Sequence, residues 1–316
     1  ESALKDFILR SFASAFLRYG MALTDGATGS TNLTQIAAKV ADPNFPALML
    51  VGGAMMIVGF GFKIAMAPFH VWAPDVYEGA PTPVTCFMAA GPKAAAFASF
   101  IRIFVLGLPL VAGVQSSEYL HLTWTTALAV LAIATILVGN VAAIMQTNLK
   151  RMLAYSSIAN MGYVLMGFMA GDVTGFSAAL FYLVAYVLTT LAGFGVMLLL
   201  SRRGFEADKI DDLKGLNQRS PWWAFLMLLV MFSLAGMPPT IGFYGKLLVL
   251  QAAINAGYVW LAVVGVLAAL IGAFYYLRIV KLMYFDEPVD RAPIESRTDT
   301  RVLLSANGLS LLLFGG

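Results

Sequence analysis

The sequence has 316 residues, of which 60% are hydrophobic and only 12% are charged, against roughly 25% charged residues in an ordinary soluble domain. So few charges would not cover the aqueous surface of a chain this long, which excludes a soluble globular protein. The single cysteine, Cys86, excludes a disulfide framework and an iron–sulfur cluster held by this chain alone. The net charge of +3, without a basic run, indicates no nucleic-acid partner.

The apolar stretches predict membrane-spanning helices, because long apolar runs without two-residue alternation favour helices over a closed β-barrel. In chain order the predicted segments are about 3–24, 47–79, 84–112, 123–146, 152–170, 175–200, 222–253, 257–284 and 302 onward. The first is poorly apolar, since it contains Asp6, Arg10, Arg18 and Asp25, and we expect it to pack against protein rather than lipid. The last is incomplete, so we interpret the chain as a piece of a longer protein.

The loop charges support this order of segments. Alternate loops of a membrane protein face the same side, and cytoplasmic loops carry more Lys and Arg. The loops after the odd-numbered segments hold only Lys39. Those after the fourth, sixth and eighth segments hold Lys150, Arg151, Arg202, Arg203, Lys209, Lys214, Arg219, Arg291, Arg297 and Arg301. We therefore predict these three loops, the N-terminus and the loop near residue 80 on the cytoplasmic side.

The second and seventh segments are unusually long and contain helix-breaking prolines. Pro68 follows Lys63 by five residues, and Pro238 and Pro239 shortly precede Lys246. Proline removes a helical hydrogen bond and collides with the preceding turn. The two segments cross the membrane in opposite directions, and such paired interruptions are typical of transport pathways built from inverted repeats. Prolines that merely kink ordinary membrane helices are the alternative.

Three lysines lie inside apolar segments: Lys63 and Lys246 beside the breaks, and Lys93 about ten residues into its segment. A charge near the bilayer centre costs roughly 2.5–3.5 kcal/mol on insertion scales, which indicates function rather than packing. A desolvated lysine can release its proton near neutral pH, whereas arginine stays charged, so a row of such lysines joined by water predicts a proton relay. Snorkelling to the interface is the alternative. The middles of the second to eighth segments contain no Asp or Glu to pair with them.

Four blocks of the sequence resemble a known family. They begin at Gly61 (GFKIAMAPFHVWAPDVYEGAPTP), Gly91 (GPKAAAF), Gln146 (QTNLKRMLAYSSIANMGY) and Ser233 (SLAGMPPTIGFYGK). Over nearly its whole length the sequence resembles the antiporter-like membrane subunits of proton-pumping NADH–quinone oxidoreductase, respiratory complex I, and most of all the subunit N type.

The resemblance implies an all-α polytopic membrane protein, an antiporter-like helix bundle with inverted repeats and two broken helices. Residues 1–112 would be the last three helices of the first repeat, with its N-terminal part missing. Residues 123–284 would be the five helices of the second repeat, and 285–316 a cytoplasmic loop and the start of a further membrane helix. Members of the family usually carry an aromatic residue in place of Asp6 and a small one in place of Arg10.

The implied function is that of a proton-translocating membrane subunit, which couples NADH-to-quinone electron transfer in other subunits to proton pumping. No redox centre is expected on this chain; FMN, iron–sulfur clusters, NADH and quinone would belong to the rest of the complex. The implied partners are other membrane subunits, including neighbouring antiporter-like subunits, and the lipid bilayer of the bacterial inner membrane. The implied relay consists of Lys63, Lys93 and Lys246, with Lys5 in a supporting place.

Several interpretations stay open. Pro68, Pro238 and Pro239 are predicted to shape the breaks, and His70 is a candidate gating group with turn and capping chemistry as its alternative. A subunit of a multi-subunit sodium/proton antiporter is an alternative function. A structural membrane anchor without its own channel is another.

Overall fold

The computed structural model of the protein describes residues 2–40, 47–108, 118–202, 205–289, 294 and 297–315. Over these residues the chain forms α-helices and no β-sheet, which confirms the all-helical prediction. The helices are α1 Ser2–Thr28, α2 Leu33–Val40, α3 Ala47–Ile64, α4 Trp72–Gly79, α5 Thr82–Ile101, α6 Glu118–Ile144, α7 Leu149–Met169, α8 Val173–Leu200, α9 Leu216–Arg219, α10 Pro221–Ala235, α11 Ile241–Asn255, α12 Val259–Phe285 and α13 Thr298–Leu313.

Five helical stretches are long and apolar enough to cross a membrane: Thr82–Gly107, Ala127–Ile144, Leu149–Met169, Val173–Leu200 and Val259–Phe285. Their lengths suit the ~17–25 residues that span the hydrocarbon core. The halves of the two broken segments are apolar but shorter. Large apolar side chains stay exposed along α12, as a lipid-facing helix requires.

The central element is α7. Nearly all of its residues are buried, because α4, α6, α8 and α11 surround it. Glycine allows the closest of these approaches: a Cβ added at Gly162 would lie 2.9 Å from the carbonyl oxygen of Ala132 on α6. The helix begins at the cap residue Asn148, whose side chain accepts a hydrogen bond of 3.0 Å from the backbone N–H of Arg151.

Both long segments are interrupted, as predicted. The first separates α3 from α4 after Ile64, and the second separates α10 from α11 after Ala235. In each, the residue after the helix has a left-handed backbone: Ala65 with φ 58° and Gly236 with φ 82°. The backbone N–H of the next residue, a methionine at both breaks, donates to the carbonyl oxygen five residues earlier. The distances are 2.8 Å at the first break and 2.9 Å at the second. A cis peptide bond to Pro68 or Pro239 follows.

Two elements depart from the predicted segments. Helix α2 falls in a stretch that we predict as loop, because its eight residues are too few to give a membrane signal. The third segment ends in a π-helical turn, Arg102–Gly107, that no periodicity reveals. The predicted boundary at 112 lies outside the described residues. The division into repeats at 1–112, 123–284 and 285–316 therefore stays a prediction.

Candidate functional site

Lys63 lies in the last turn of α3 and lines an open cavity of about 360 Å³. Its side chain is exposed, unlike the buried position that the sequence predicts. The cavity is bounded by α1, α3, α4 and α5, with Ser14, Trp72 and Pro92 among its walls. Among the described residues the Lys63 ammonium has no hydrogen-bond partner. The break explains the exposure, since α3 ends one residue later and leaves room for solvent.

Trp72 contacts the end of α3 at the first break and lines the same cavity as Lys63. Its indole Nε1 donates a hydrogen bond of 2.8 Å to the carbonyl oxygen of Phe62. The Trp72 and Phe62 rings are stacked with their centroids 5.7 Å apart. The same carbonyl oxygen accepts a hydrogen bond of 3.2 Å from the backbone N–H of Ala65, so the indole is a second donor to a carbonyl group at the helix end.

Lys93 follows Pro92 inside α5 and is fully buried. Its Nζ donates to the hydroxyl oxygen of Ser157 on α7 and lies 5.5 Å from the centre of the Tyr77 ring. The same Ser157 oxygen accepts a hydrogen bond of 2.6 Å from the hydroxyl of Tyr186 on α8. All the partners of this lysine in the described part of the chain are therefore neutral.

Lys246 lies in the second turn of α11 and is 7% exposed. Its Nζ donates to the carbonyl oxygens of Leu234 and Ala235, at 2.8 Å and 3.0 Å. These are the carbonyls that the end of α10 leaves free, so the second break supplies the acceptors for its lysine. The Tyr163 ring of α7 lies 5.1 Å from the same Nζ.

Ser156 and Asn160 of α7 form a polar cluster with tyrosines of α8 and α12. Tyr182 donates a hydrogen bond of 2.7 Å to the side-chain oxygen of Asn160. Ser156 and the Tyr276 hydroxyl are 2.5 Å apart, and the Asn160 amide donates to Ser156 at 3.4 Å. This polar cluster is buried, and its hydroxyls can both donate and accept.

A small cavity lies beside Tyr186 and Leu234. Its volume of about 10 Å³ is close to the ~10–15 Å³ that one water needs. Ser156, Tyr186 and Thr189 line it, and so does Leu234, whose carbonyl accepts from Lys246. Hydroxyl groups lie on several sides of this cavity.

Lys5, the predicted supporting lysine, forms an ion pair with Asp75 of α4. Arg151 binds both Asp75 and Glu78, at 2.8 Å each. Lys5 does not line the cavity of Lys63, so the structure does not bring these two lysines together there. The cluster instead ties α1 and the start of α7 to the second half of the first broken helix.

Lys150 is a buried lysine that sequence reasoning missed, because its place beside Arg151 assigns it to a loop. Its side chain is only 2% exposed and bonds Glu206 at 2.7 Å and the carbonyl oxygen of Ala80 at 3.0 Å. The ammonium group lowers the pKa of Glu206 below its usual value. The partners stand 56 and 70 positions away, so no local spacing could have revealed them.

His70 and the prolines lie within the breaks. The carbonyl oxygen of His70 accepts from the backbone N–H of Ala73 at 3.0 Å, as in a turn that starts a helix. Its Nδ1 is buried and has no partner in the described part of the chain. Pro68, Pro238 and Pro239 stand in the interruptions themselves. The described residues contain no group of three or more His, Cys, Asp or Glu side chains placed to hold a metal ion.

The long apolar helices and the two interrupted ones define a polytopic membrane protein. The family described as NADH:quinone oxidoreductase/Mrp antiporter, transmembrane, matches residues 1–272, and the chain belongs to this family. Within it, the NADH-quinone oxidoreductase subunit N of Nitrosomonas europaea is 53% identical over 319 residues, which cover all of this chain and 64% of the relative. The resemblance to the subunit N type is thus confirmed.

Comparison with solved structures supports the assignment to this family. A chain of respiratory complex I from Thermus thermophilus with bound aureothin is 37% identical, with a TM-score of 0.83, over all of this chain and 66% of that one. A chain of the membrane-bound sulfane sulfur reductase, an archaeal respiratory membrane complex, is 26% identical with a TM-score of 0.86, over all of this chain and 62% of that one. The chain spans 64% of the length of the curated relatives that it matches.

Proposed function

We propose that the chain is part of a proton-translocating membrane subunit of NADH–quinone oxidoreductase, and that Lys63, Lys93 and Lys246 relay the protons. The observation that carries the proposal is the neutral surroundings of two interior lysines. Lys93 and Lys246 are buried, and their partners in the described chain are a serine hydroxyl, two carbonyl oxygens and two tyrosine rings.

Lys150 provides the contrast. It is buried as well, but it has a carboxylate partner in Glu206. Loss of a proton from Lys150 would leave the Glu206 carboxylate without its partner, whereas loss of a proton from Lys93 or Lys246 leaves no carboxylate of the described chain unpaired. Lys93 and Lys246 are therefore suited to repeated proton exchange, and Lys150 to a structural role.

The proposed route begins at the open cavity of Lys63, where water has access. From Lys93 it passes through Ser157 and the Tyr186 hydroxyl to the small cavity beside Leu234, whose carbonyl binds Lys246. Water fills the gaps between side chains. Serine and tyrosine hydroxyls support such a route because each can accept one proton and donate another.

The remaining assignments complete the proposal. The subunit lies in the bacterial inner membrane with its basic loops on the cytoplasmic side, next to other antiporter-like subunits. Electron transfer through FMN, iron–sulfur clusters and quinone takes place in other subunits. Lys5 supports the relay indirectly, through its ion pair with Asp75 of α4, while Pro68, Pro238, Pro239 and His70 shape the breaks.

The first test is Lys63→Met in the intact complex, reconstituted in liposomes. We expect NADH-driven proton pumping to be lost or sharply reduced, because methionine has similar length but carries no proton. Lys281→Met is the matched control, since Lys281 pairs with Asp286 at the exposed end of α12, and it should pump normally. Full pumping by Lys63→Met would refute the relay. Unchanged pumping with alanine at all three lysines would favour a structural anchor.

A sodium/proton antiporter subunit is the second candidate, because the matching family includes Mrp antiporters. The two candidate functions predict different cofactors and activities in the complex that purifies with the full-length subunit. Flavin and iron absorbance with quinone reductase activity favours the first proposal. Sodium-dependent proton exchange without redox activity favours the second.

A further inference from the structure

The first break is tied to a helix outside its own segment. The backbone N–H of Ala67 donates a hydrogen bond of 3.0 Å to the side-chain oxygen of Thr135 on α6. Ala67 is only 3% exposed, and Thr135 is fully buried. A buried backbone N–H is nearly always paired, so Thr135 supplies the acceptor for a donor that the interruption leaves outside the helix.

The neighbouring backbone groups of the break bond within their own segment. The N–H groups of Ala65 and Met66 donate to carbonyl oxygens in the last turn of α3, at 3.2 Å and 2.8 Å. Pro68 has no N–H to donate. Among the backbone N–H groups of residues 65–68, that of Ala67 is therefore the one that bonds another helix.

The Thr135 hydroxyl is held in one orientation. It donates a hydrogen bond of 2.5 Å to the carbonyl oxygen of Leu131, one turn earlier in α6. Threonine in a helix often bonds the carbonyl four residues back in this way. Since the hydroxyl proton is used inside α6, the oxygen acts as an acceptor towards the break, which matches the donor that Ala67 presents.

Helix α6 connects this bond to the centre of the bundle. Its main neighbours are α7 and α12. It meets α7 at backbone distance, since a Cβ added at Gly139 would lie 2.5 Å from the backbone nitrogen of Ala159. Helix α7 in turn carries Ser157, the partner of Lys93. The first break is therefore held against the pair of helices that carries the interior polar cluster.

We infer that Thr135 is a positioning residue of the first break, which fixes the interrupted segment against α6 and thereby sets where Lys63 stands relative to the partners of Lys93 on α7. Lys63 precedes Ala67 by four residues, so a shift of the break also shifts this lysine. The inference rests on the proposed function, since it assumes that protons pass between Lys63 and Lys93. Thr135 acts through the backbone of the break.

The ion pairs between α4 and α7 do not replace this bond. Arg151 binds Asp75 and Glu78, which lie in α4 and hold the helix rather than the break. These side chains are partly exposed, so water can solvate them when a partner is lost. A buried N–H that loses its acceptor has no such replacement, and the break must move to find one.

The test is Thr135→Val in the intact complex with the full-length subunit, reconstituted in liposomes. Valine has a similar shape but removes the acceptor of the Ala67 N–H. We expect the protons pumped per NADH oxidised to fall several-fold in the assembled complex. Thr135→Ser keeps the hydroxyl and should pump nearly as the wild type does.

Thr24→Val is the matched control. Thr24 is 4% exposed, and its hydroxyl donates to the carbonyl oxygen of Gly20 within α1, at 2.9 Å. The substitution removes a buried hydroxyl but deprives no backbone N–H of the described chain of its acceptor. It should change pumping little, and a loss equal to that of Thr135→Val would overturn the inference.

The yield of intact complex separates positioning from a structural role. The inference is overturned if Thr135→Val pumps normally once assembled, whether or not its yield falls. A loss of pumping that serine at position 135 also shows would overturn it as well. If Lys63→Met abolishes pumping and Thr135→Val does not lower it, only this inference fails. If Lys63→Met pumps fully, the relay fails, and the inference fails with it.

Discussion

At the break between α10 and α11, Lys246 donates to the two carbonyl oxygens that the interruption leaves free. At the break between α3 and α4, the indole of Trp72 donates to the carbonyl oxygen of Phe62 instead, and Lys63 lines a cavity. The backbone pattern is the same at both breaks. The lysine precedes the break in one case and follows it in the other.

The difference shows that the same backbone pattern at a helix break can place a lysine in two different environments. Lys246 is enclosed by two carbonyl oxygens and a tyrosine ring, whereas Lys63 lines an open cavity that water can enter. Under the proposed function, Lys63 is suited to contact with solvent and Lys246 to a guarded interior step.

The largest effect is expected from Gly236→Ala, which adds a Cβ at the left-handed residue of the second break. That Cβ would lie 2.7 Å from Cδ of Lys246, and a left-handed alanine costs about 1–2 kcal/mol. We expect most of the proton pumping to be lost and the thermal unfolding temperature of the complex to fall.

The first break provides the control, because alanine already occupies the equivalent position at Ala65. Ala65→Gly relieves the cost of a left-handed alanine, so it should leave pumping unchanged and should not lower the unfolding temperature. Normal pumping by Gly236→Ala would show that the position of Lys246 at the break is not needed.

An intermediate effect is expected from Trp72→Phe, which keeps an aromatic ring but removes the donor to Phe62. The Phe62 carbonyl then keeps only the hydrogen bond of 3.2 Å from the backbone N–H of Ala65, and α4 loses one of its contacts with the end of α3. We expect a several-fold loss of pumping and a loss of stability of about 1 kcal/mol. Trp222→Phe is the control, since it removes an indole hydrogen bond to Ser305 at the surface. Equal pumping by the two variants would contradict the role given to Trp72.

The smallest effect concerns the ion pairs around α4, which have no counterpart in the described residues of α11. The Lys150 ammonium lowers the pKa of Glu206 in the folded protein. The stabilisation is therefore present above the usual glutamate value of about 4.3 and is lost as the pH falls through the lowered folded pKa.

Glu206→Gln should lower the unfolding temperature at neutral pH, by less than the other variants because Glu206 is 45% exposed. The difference from the wild type should shrink below about pH 4.3. Asp211→Asn, which removes an exposed pair with Lys214, is the control. A difference that stays constant with pH would disprove the ion-pair explanation.

The sequence predicts the breaks well, because proline and glycine act locally on the backbone. It places Lys93 and Lys246 in the interior for the same reason that it finds the helices, namely long apolar runs. It does not predict the exposure of Lys63 or the burial of Lys150. Both depend on residues from other helices: the walls of a cavity in one case, Glu206 and Ala80 in the other.

Helix α7 has neighbours on every side, and backbone contact with α6 at Gly162 leaves no slack in that direction. A helix enclosed in this way has no direction in which to slide or turn without displacing another helix. Helix α7 therefore holds Ser156, Ser157 and Asn160 at fixed positions. Any gate in this bundle must then be made of rotating side chains, water that comes and goes, or the two interrupted helices.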